Sequence, residues 1–448
     1  MRAALLCSVF LCFVVTAFTA EHLSKLDDYR SSNVNAVEDP VLSEIIRLYA
    51  NGEYFRLRDL LTGLTDQDTP GALFAAAVVH HAFNRPAQSN TAIEQLMRTG
   101  PALPDTLVGD LRQLKHANYL RLYEYENALQ ALEEILAAPA AEVDSTTRAD
   151  ARGTLPLFEA LAGIAPQQVE VQGETVVQMD RDMANLRRVD VRIGGVVRQY
   201  VLDTGAELSV VTRSEAEALG LTIREAGFEV TSSTGGKVLA DVAVADEVLL
   251  GNVLYTNVVF MVFDDEALTW PQIGYNIPGI LGFPLVEAVG EVRFRRGDVL
   301  EIPASAGMYD TANLVLEGLA PRVLTRIQSG NGTFAADSVL CALDTGAKST
   351  SLLAPFYRRY KAGVEEIGRP EEVAIGGAGG VSIQDGFVMP SLTLTIGTHS
   401  ASIDSVRVHT QTTFESPESQ IGCNIGQDVI GQFDETVLNF RSMSLLFR

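Results

Sequence analysis

Apolar residues recur at threes and fours from residue 41 to residue 165. Leu42, Ile45, Ile46, Leu48 and Tyr49 form one such set, and Leu57, Leu60 and Leu61 the next. That spacing predicts amphipathic helices, each with one face turned to a core. Thr69-Pro70 reads as a helix start, a capping hydroxyl followed by proline at the first position, and the apolar run Leu73–Val79 follows it. Tyr119–Leu136 predicts an amphipathic helix pair rich in Ala and Leu. After Pro166 the period changes to two. Val189-Asp190-Val191-Arg192-Ile193 alternates, Gly194-Gly195 turns, and Val196–Leu202 continues extended. Residues 167–448 read as mainly β with few helices, expected at Ser214–Gly220 and Ala354–Gly363. The expected fold is therefore mainly β, preceded by an all-α helical-hairpin domain over 41–165.

Within that domain a loose repetition is visible. An aromatic residue near a turn precedes a helix in LYANGEYFRLRDLL, HHAFNRPAQSNTAIEQLM and LRLYEYENALQALEEIL. The repetition resembles tetratricopeptide-type helical hairpins, which imply a concave face for a peptide or partner protein. An ordinary helical bundle packed on the next domain is the alternative.

The chain begins with an address. In residues 1–20, Arg2 precedes an almost unbroken apolar run that ends in small residues, with cleavage expected after Ala17 or Ala20. This is the pattern of a secretory signal, so an exported protein, periplasmic or secreted, is expected; an uncleaved membrane anchor is the alternative. Residues 21–40 read as a polar linker ending in Asp39-Pro40. No later stretch offers eighteen uncharged apolar residues. The best, 242–263, is broken by Asp246, Glu247, Asn252 and Asn257.

Composition narrows the function classes. With 34 basic and 57 acidic residues in 448, the formal charge is 34 − 57 = −23. Such a surface argues against nucleic acid or anionic lipid as a main partner. Of four cysteines, Cys7 and Cys12 lie in the leader, which leaves Cys341 and Cys423. Two cysteines cannot make a four-ligand zinc site unaided, and His80 and His81 are adjacent, so they point to different faces of a helix. No metal or cofactor is expected.

The chemistry sits in a duplicated tripeptide. Tyr-Val-Leu-Asp203-Thr204-Gly205 and Cys-Ala-Leu-Asp344-Thr345-Gly346 each follow a strand ending in Leu, and each continues into Ala (Ala206, Ala347). Hydroxyl residues follow both, Ser209 in one case and Ser349-Thr350-Ser351 in the other. A glycine-bearing hairpin comes next: Thr234-Gly235-Gly236 in the first copy, Gly376 to Gly380 in the second. Then come Gly279-Ile280-Leu281-Gly282 and Cys423-Asn424-Ile425-Gly426, and finally the alternating strands Glu291–Phe294 and Val437–Phe440. The offsets are 344 − 203 = 141 and 426 − 282 = 144. A near-constant offset over several landmarks points to an internal duplication.

On these residues, about 185–448 resembles the aspartic peptidases of the retropepsin and pepsin clan, in a single-chain, two-lobed bacterial form. The resemblance implies pseudo-symmetric lobes at 185–302 and 312–448, joined through Gly297–Gly318, and needs no second subunit. It implies Asp203 and Asp344 as catalytic, Thr204, Gly205, Thr345 and Gly346 as support for the two loops, and Thr234, Gly235, Gly236, Gly377 and Gly379 as flap candidates. The implied activity is endopeptidase action on polypeptides by a water activated between two carboxyls that share one proton.

Three departures from the clan's patterns matter. Ala206 and Ala347 replace the Ser or Thr of pepsin-type sites. Losing a hydrogen bond to the charged form raises a carboxylate pKa, so an optimum at about pH 4–6 is expected. The flaps carry no Tyr, and the residue two past each apolar-apolar-Gly is Pro284 or Asp428, so the retroviral Arg-Asn pair is absent. In the clan's fold the strands of Cys341 and Cys423 run side by side, so a disulfide and two buried thiols are both open readings. The competing functions are a catalytically silent peptide-binding module and a scaffold acting through the helical domain. That domain is acidic throughout, unlike a basic pro-segment, and a role in recruiting a substrate or protein partner is the preferred expectation.

Overall fold

The computed structural model describes residues 13–14, 39–99, 103–411 and 421–448. The leader assigned to 1–20 therefore lies outside the described residues except for Phe13–Val14, a two-residue strand paired with Ser232 and Thr231. Most of the linker assigned to 21–40 also lies outside them.

Seven helices among the described residues occupy the first region: Pro40–Ala50, Tyr54–Gly63, Pro70–Ala82, Pro86–Thr99, Asp105–Arg121, Tyr125–Ala137 and Ser145–Leu161. Side-chain caps start three of them. Asp39 accepts from Val41 N at 2.9 Å, Thr69 from Ala72 N at 3.2 Å and Asp144 from Thr147 N at 2.8 Å. Each satisfies an amide that the helix itself cannot pair. The stretch read as a helix pair at Tyr119–Leu136 is the end of one helix and the whole of the next, separated at Tyr123, whose φ is +57°.

The remainder is built of strands. A ten-stranded sheet is assembled mainly from 168–281, an eight-stranded sheet from 314–425, and a five-stranded sheet joins the two parts. In the last of these, Glu291–Arg295 pairs antiparallel with Glu435–Asn439, Val292 opposite Leu438. Arg187–Ile193 shows the expected alternation, with Val189, Val191 and Ile193 buried and Asp190 and Arg192 exposed. The helices expected at Ser214–Gly220 and Ala354–Gly363 occur at Arg213–Ala218 and Ala354–Ile367.

The sheets begin earlier than the boundary drawn at 185. Gln168–Val171 pairs with Val253–Thr256, and Thr175–Gln178 pairs with Val299–Ile302. The latter strand also lies within the stretch read as a plain connection, Gly297–Gly318. These strands are short and mostly half-exposed, so their sequences carry little alternation.

The helical region is docked, not tethered. Leu57, Phe74 and Phe158 belong to the same continuous apolar core as Val191, Phe260 and Leu343. Polar contacts cross the seam: Asn84 Nδ2 donates to Glu287 Oε1 at 2.7 Å, Tyr54 OH to Glu317 Oε1 at 3.2 Å, and Tyr123 OH to the Pro284 carbonyl at 3.2 Å.

Candidate active site

Two strands deliver the two aspartates in the same way. Val196–Leu202 runs parallel to Gly279–Leu281, with Leu202 opposite Leu281, and Asp203 N donates to Leu281 O at 3.0 Å. Ala335–Leu343 runs parallel to Cys423–Ile425, with Leu343 opposite Ile425, and Asp344 N donates to Ile425 O at 2.9 Å. The hydroxyls noted downstream tie each loop to its crossing strand. Ser209 Oγ accepts from Gly282 N and Thr350 Oγ1 from Gly426 N, both at 3.0 Å. Gly282 and Gly426 leave no room for a side chain, since a Cβ at either would lie within 2.8 Å of backbone atoms.

The threonines bind the loops to one another. Thr204 Oγ1 donates to Leu343 O at 2.7 Å and Thr345 Oγ1 to Leu202 O at 2.9 Å. Each hydroxyl oxygen also accepts the other threonine's amide, at 3.0 and 3.1 Å. Both side chains are completely buried. Gly205 and Gly346 face the opposite aspartates. A Cβ on Gly205 would stand 2.8 Å from Asp344 Cγ, and one on Gly346 would overlap the Asp203 carboxyl.

The carboxyls of Asp203 and Asp344 are fully buried and interact with each other. Asp203 Oδ1 accepts from Gly205 N at 2.7 Å. Asp344 Oδ2 accepts from Asn424 Nδ2 at 2.8 Å. Asp203 Oδ2 and Asp344 Oδ1 are buried with no donor. Burial, and then the charge of Asp344, push the Asp203 carboxyl well above the usual carboxylate range. Burial also raises Asp344, against the opposing hydrogen bond from Asn424. Two carboxyls so placed resist ionising together, so a pair that shares one proton can take and give protons at once.

Two glycine-bearing hairpins meet each other beside the Asp344 loop. One joins Ile223–Ser232 to Lys237–Leu250 and the other Arg369–Gly377 to Gly380–Ile396. Thr234, Gly235 and Gly236 form the first turn, closed by Gly235 N to Ser232 O at 2.9 Å; Gly377 and Gly379 lie in the second. Gly235 at φ +78° and Gly379 at φ +80° hold left-handed conformations that a side chain would strain. The tips meet, with Ser233 Oγ 3.4 Å from the Gly376 carbonyl it donates to, and Gly379 N bonds Ala267 O at 2.9 Å. Ile375 packs on Ala347, next to Asp344. Both carboxyls are without solvent exposure in this arrangement.

Two features went unread in the sequence, the role of Asn424 and a cavity, and the choice left open for Cys341 and Cys423 is decided. Asn424 supplies the side-chain donor that Ala347 lacks, and its one signal is an amide between apolar neighbours in a short strand. Cys341 and Cys423 are disulfide-bonded between paired parallel strands. A cavity of about 1010 Å³ lies away from the carboxyls, between the turn at Asn51–Arg56 and the helix around Phe356 and Tyr360. Among the described residues no cluster of three or more His, Cys, Asp or Glu could hold a metal ion, and no helix is long and apolar enough to cross a membrane.

Residues 189–285 match the model of a family described as aspartyl protease. The match covers the Asp203 loop and the crossing strand behind it, and supports kinship with an aspartic protease family. Among solved structures, a retropepsin-like aspartic protease from Rickettsia conorii aligns at 21% identity over 30% of this chain and 92% of its own, with a TM-score of 0.22. A search of curated proteins returns no match.

Proposed function

We propose that this chain is an exported aspartic endopeptidase made of two related β lobes, about 185–302 and 312–448, with one aspartate loop from each. The observation that carries the reading is the buried pairing of Asp203 with Asp344, locked by the reciprocal Thr204 and Thr345 bonds. A turn aspartate that only caps a strand end has no reason to be buried against a second carboxyl.

The chemistry follows from the shared proton. The ionised carboxyl takes a proton from a bound water as the water oxygen bonds the scissile carbonyl carbon. The protonated carboxyl gives its proton to the carbonyl oxygen. The tetrahedral diol then collapses: the C–N bond breaks, the first carboxyl protonates the leaving nitrogen, and the second recovers a proton from the diol. No covalent enzyme intermediate forms. The flaps exclude bulk water once the peptide is seated.

Both carboxyls being raised supports work in mild acid, at about pH 4–6, because one proton must stay on the pair while the other is absent. The helical region is read as an arm that holds a partner or substrate protein, supported by the cavity where it meets the second lobe. The leader 1–20 supports export by its pattern alone.

The test is digestion of a diverse peptide library by the purified protein, beside Asp203→Asn and Asp344→Asn. Cleavage by the wild type that both substitutions abolish is the expected result. A folded wild type that binds peptides and cuts none would favour the silent binding module.

A further inference from the structure

The two aspartate loops are alike in backbone and unlike in one side chain. Asp203 and Asp344 each accept amides from their own loop, Gly205 and Ala206 for the first, Gly346 and Ala347 for the second. Behind Asp344, however, the crossing strand carries Asn424, opposite Ala342 and one residue before Ile425. Behind Asp203 the same register position, one before Leu281, is Ile280. Asn424 is 3% exposed, and its amide nitrogen lies 2.8 Å from Asp344 Oδ2. An amide facing a carboxylate this way donates, and a donated bond favours the charged form. Ile280 offers Asp203 nothing comparable.

We infer that Asn424 is a positioning residue that breaks the equivalence of the pair, fixing Asp344 as the carboxylate that deprotonates water and Asp203 as the acid that protonates the carbonyl oxygen. This rests on the peptidase reading for its chemistry, though not for the charge assignment itself. The charge acting most strongly on Asp203 is that of Asp344. The other ionisable side chains on the framing segments are Glu207, Lys348 and Asp428, and Asp428 accepts from Thr350 N and Oγ1 at 2.9 and 2.6 Å. The shared proton therefore has one preferred seat, on Asp203, and water and carbonyl have fixed sides to bind. Asn424 touches neither substrate nor water in this role; it acts through Asp344.

The experiment leaves Asn424 intact in its first arm. In Asp203→Asn the lone carboxyl is Asp344, and in Asp344→Asn it is Asp203. Each is titrated by NMR of its side-chain carboxyl carbon. The lone Asp344 is expected to titrate lower than the lone Asp203 by about one pH unit or more, the scale of one hydrogen bond to a charged group. Equal values, or the reverse order, overturn the inference. In the second arm Asn424→Leu, placed in Asp203→Asn, should raise the Asp344 value by a similar amount, and Asn424→Ser should recover part of it. No movement with Leu overturns the inference as well. Neither arm needs peptide cleavage, so an inactive wild type would sink the peptidase reading and leave this result standing. If the wild type cleaves, Asn424→Leu should shift the acid limb of its pH profile upward with little change in KM.

Discussion

Thr204 and Thr345 each donate a side-chain hydrogen bond to the strand that delivers the other's aspartate, Thr204 to Leu343 O and Thr345 to Leu202 O. Each hydroxyl is also the acceptor for the other's amide. Four bonds in a fully buried space make the two loops one rigid body. Replacing either threonine with valine keeps the shape and leaves a carbonyl and an amide unpaired. Each unpaired buried group costs about 1–3 kcal/mol. Urea unfolding should show a loss of at least about 2 kcal/mol for each single variant. Because both share one network, the double variant should lose less than the sum.

The glycines beside them act by absence. A Cβ on Gly346 would overlap the Asp203 carboxyl, whereas nothing lies within 4 Å of the position a Cβ would take on Gly153, inside the helix Ser145–Leu161. Gly346→Ala should abolish cleavage and lower stability. Gly153→Ala should raise stability by about 0.5–1 kcal/mol through helix propensity. Thermal unfolding of the two variants separates a site constraint from a general intolerance of alanine.

Much of this was written in the sequence. The paired tripeptides, their hydroxyl followers and their crossing strands sit at near-constant offset because the backbone geometry around each aspartate demands the same small or hydroxylated residues. A helix start was legible where a capping side chain stands before proline at Thr69, while the same pattern at Asp39 read as the end of a linker. What escaped was whatever depends on three-dimensional neighbours. Gln168–Val171 and Thr175–Gln178 are half-exposed strands that pair with segments more than seventy residues away. The seam between Asn84 and Glu287 has no local pattern, because its two halves are polar residues that look solvated until they meet. Asn424 escaped for the same reason: the donor missing at Ala347 is supplied by a neighbouring strand 80 residues away from Asp344 in sequence.

Stability should fall as pH rises through the titration of the aspartate pair. Both folded values are raised by burial, and Asp203 is raised further by Asp344, so the native state holds a proton that the unfolded chain releases. The stabilisation from that proton is full below the unfolded value of 3.8 and is lost as pH climbs toward the raised folded value. Asp203→Asn carries no charge to bury at any pH. Its melting temperature should exceed the wild type's at about pH 7–8, and the gap should close toward about pH 4.

Three buried histidines act in the other direction. Desolvation lowers His81 to about 3, and His116 and His409 to about 4, from an ordinary 6.5. Their contribution is complete above 6.5 and is lost as pH falls, because the unfolded chain takes up protons that the native state refuses. At about pH 5 each costs about 2 kcal/mol. The melting temperature should therefore drop steeply as pH falls from about 6.5 toward about 4, and His409→Gln should make that slope shallower by one proton's worth. Together with the aspartate pair this puts the stability maximum in mild acid to neutral solution, which bounds any working optimum from below.

The most direct test of the shared-proton pair is the pH dependence of kcat/KM on the best peptide found by library digestion, measured for wild type, Asp203→Asn and Asp344→Asn. The account predicts a bell with both limbs in the wild type, centred at about pH 4–6, and no measurable cleavage by either variant. A profile with one limb, or activity surviving in either variant, would contradict it.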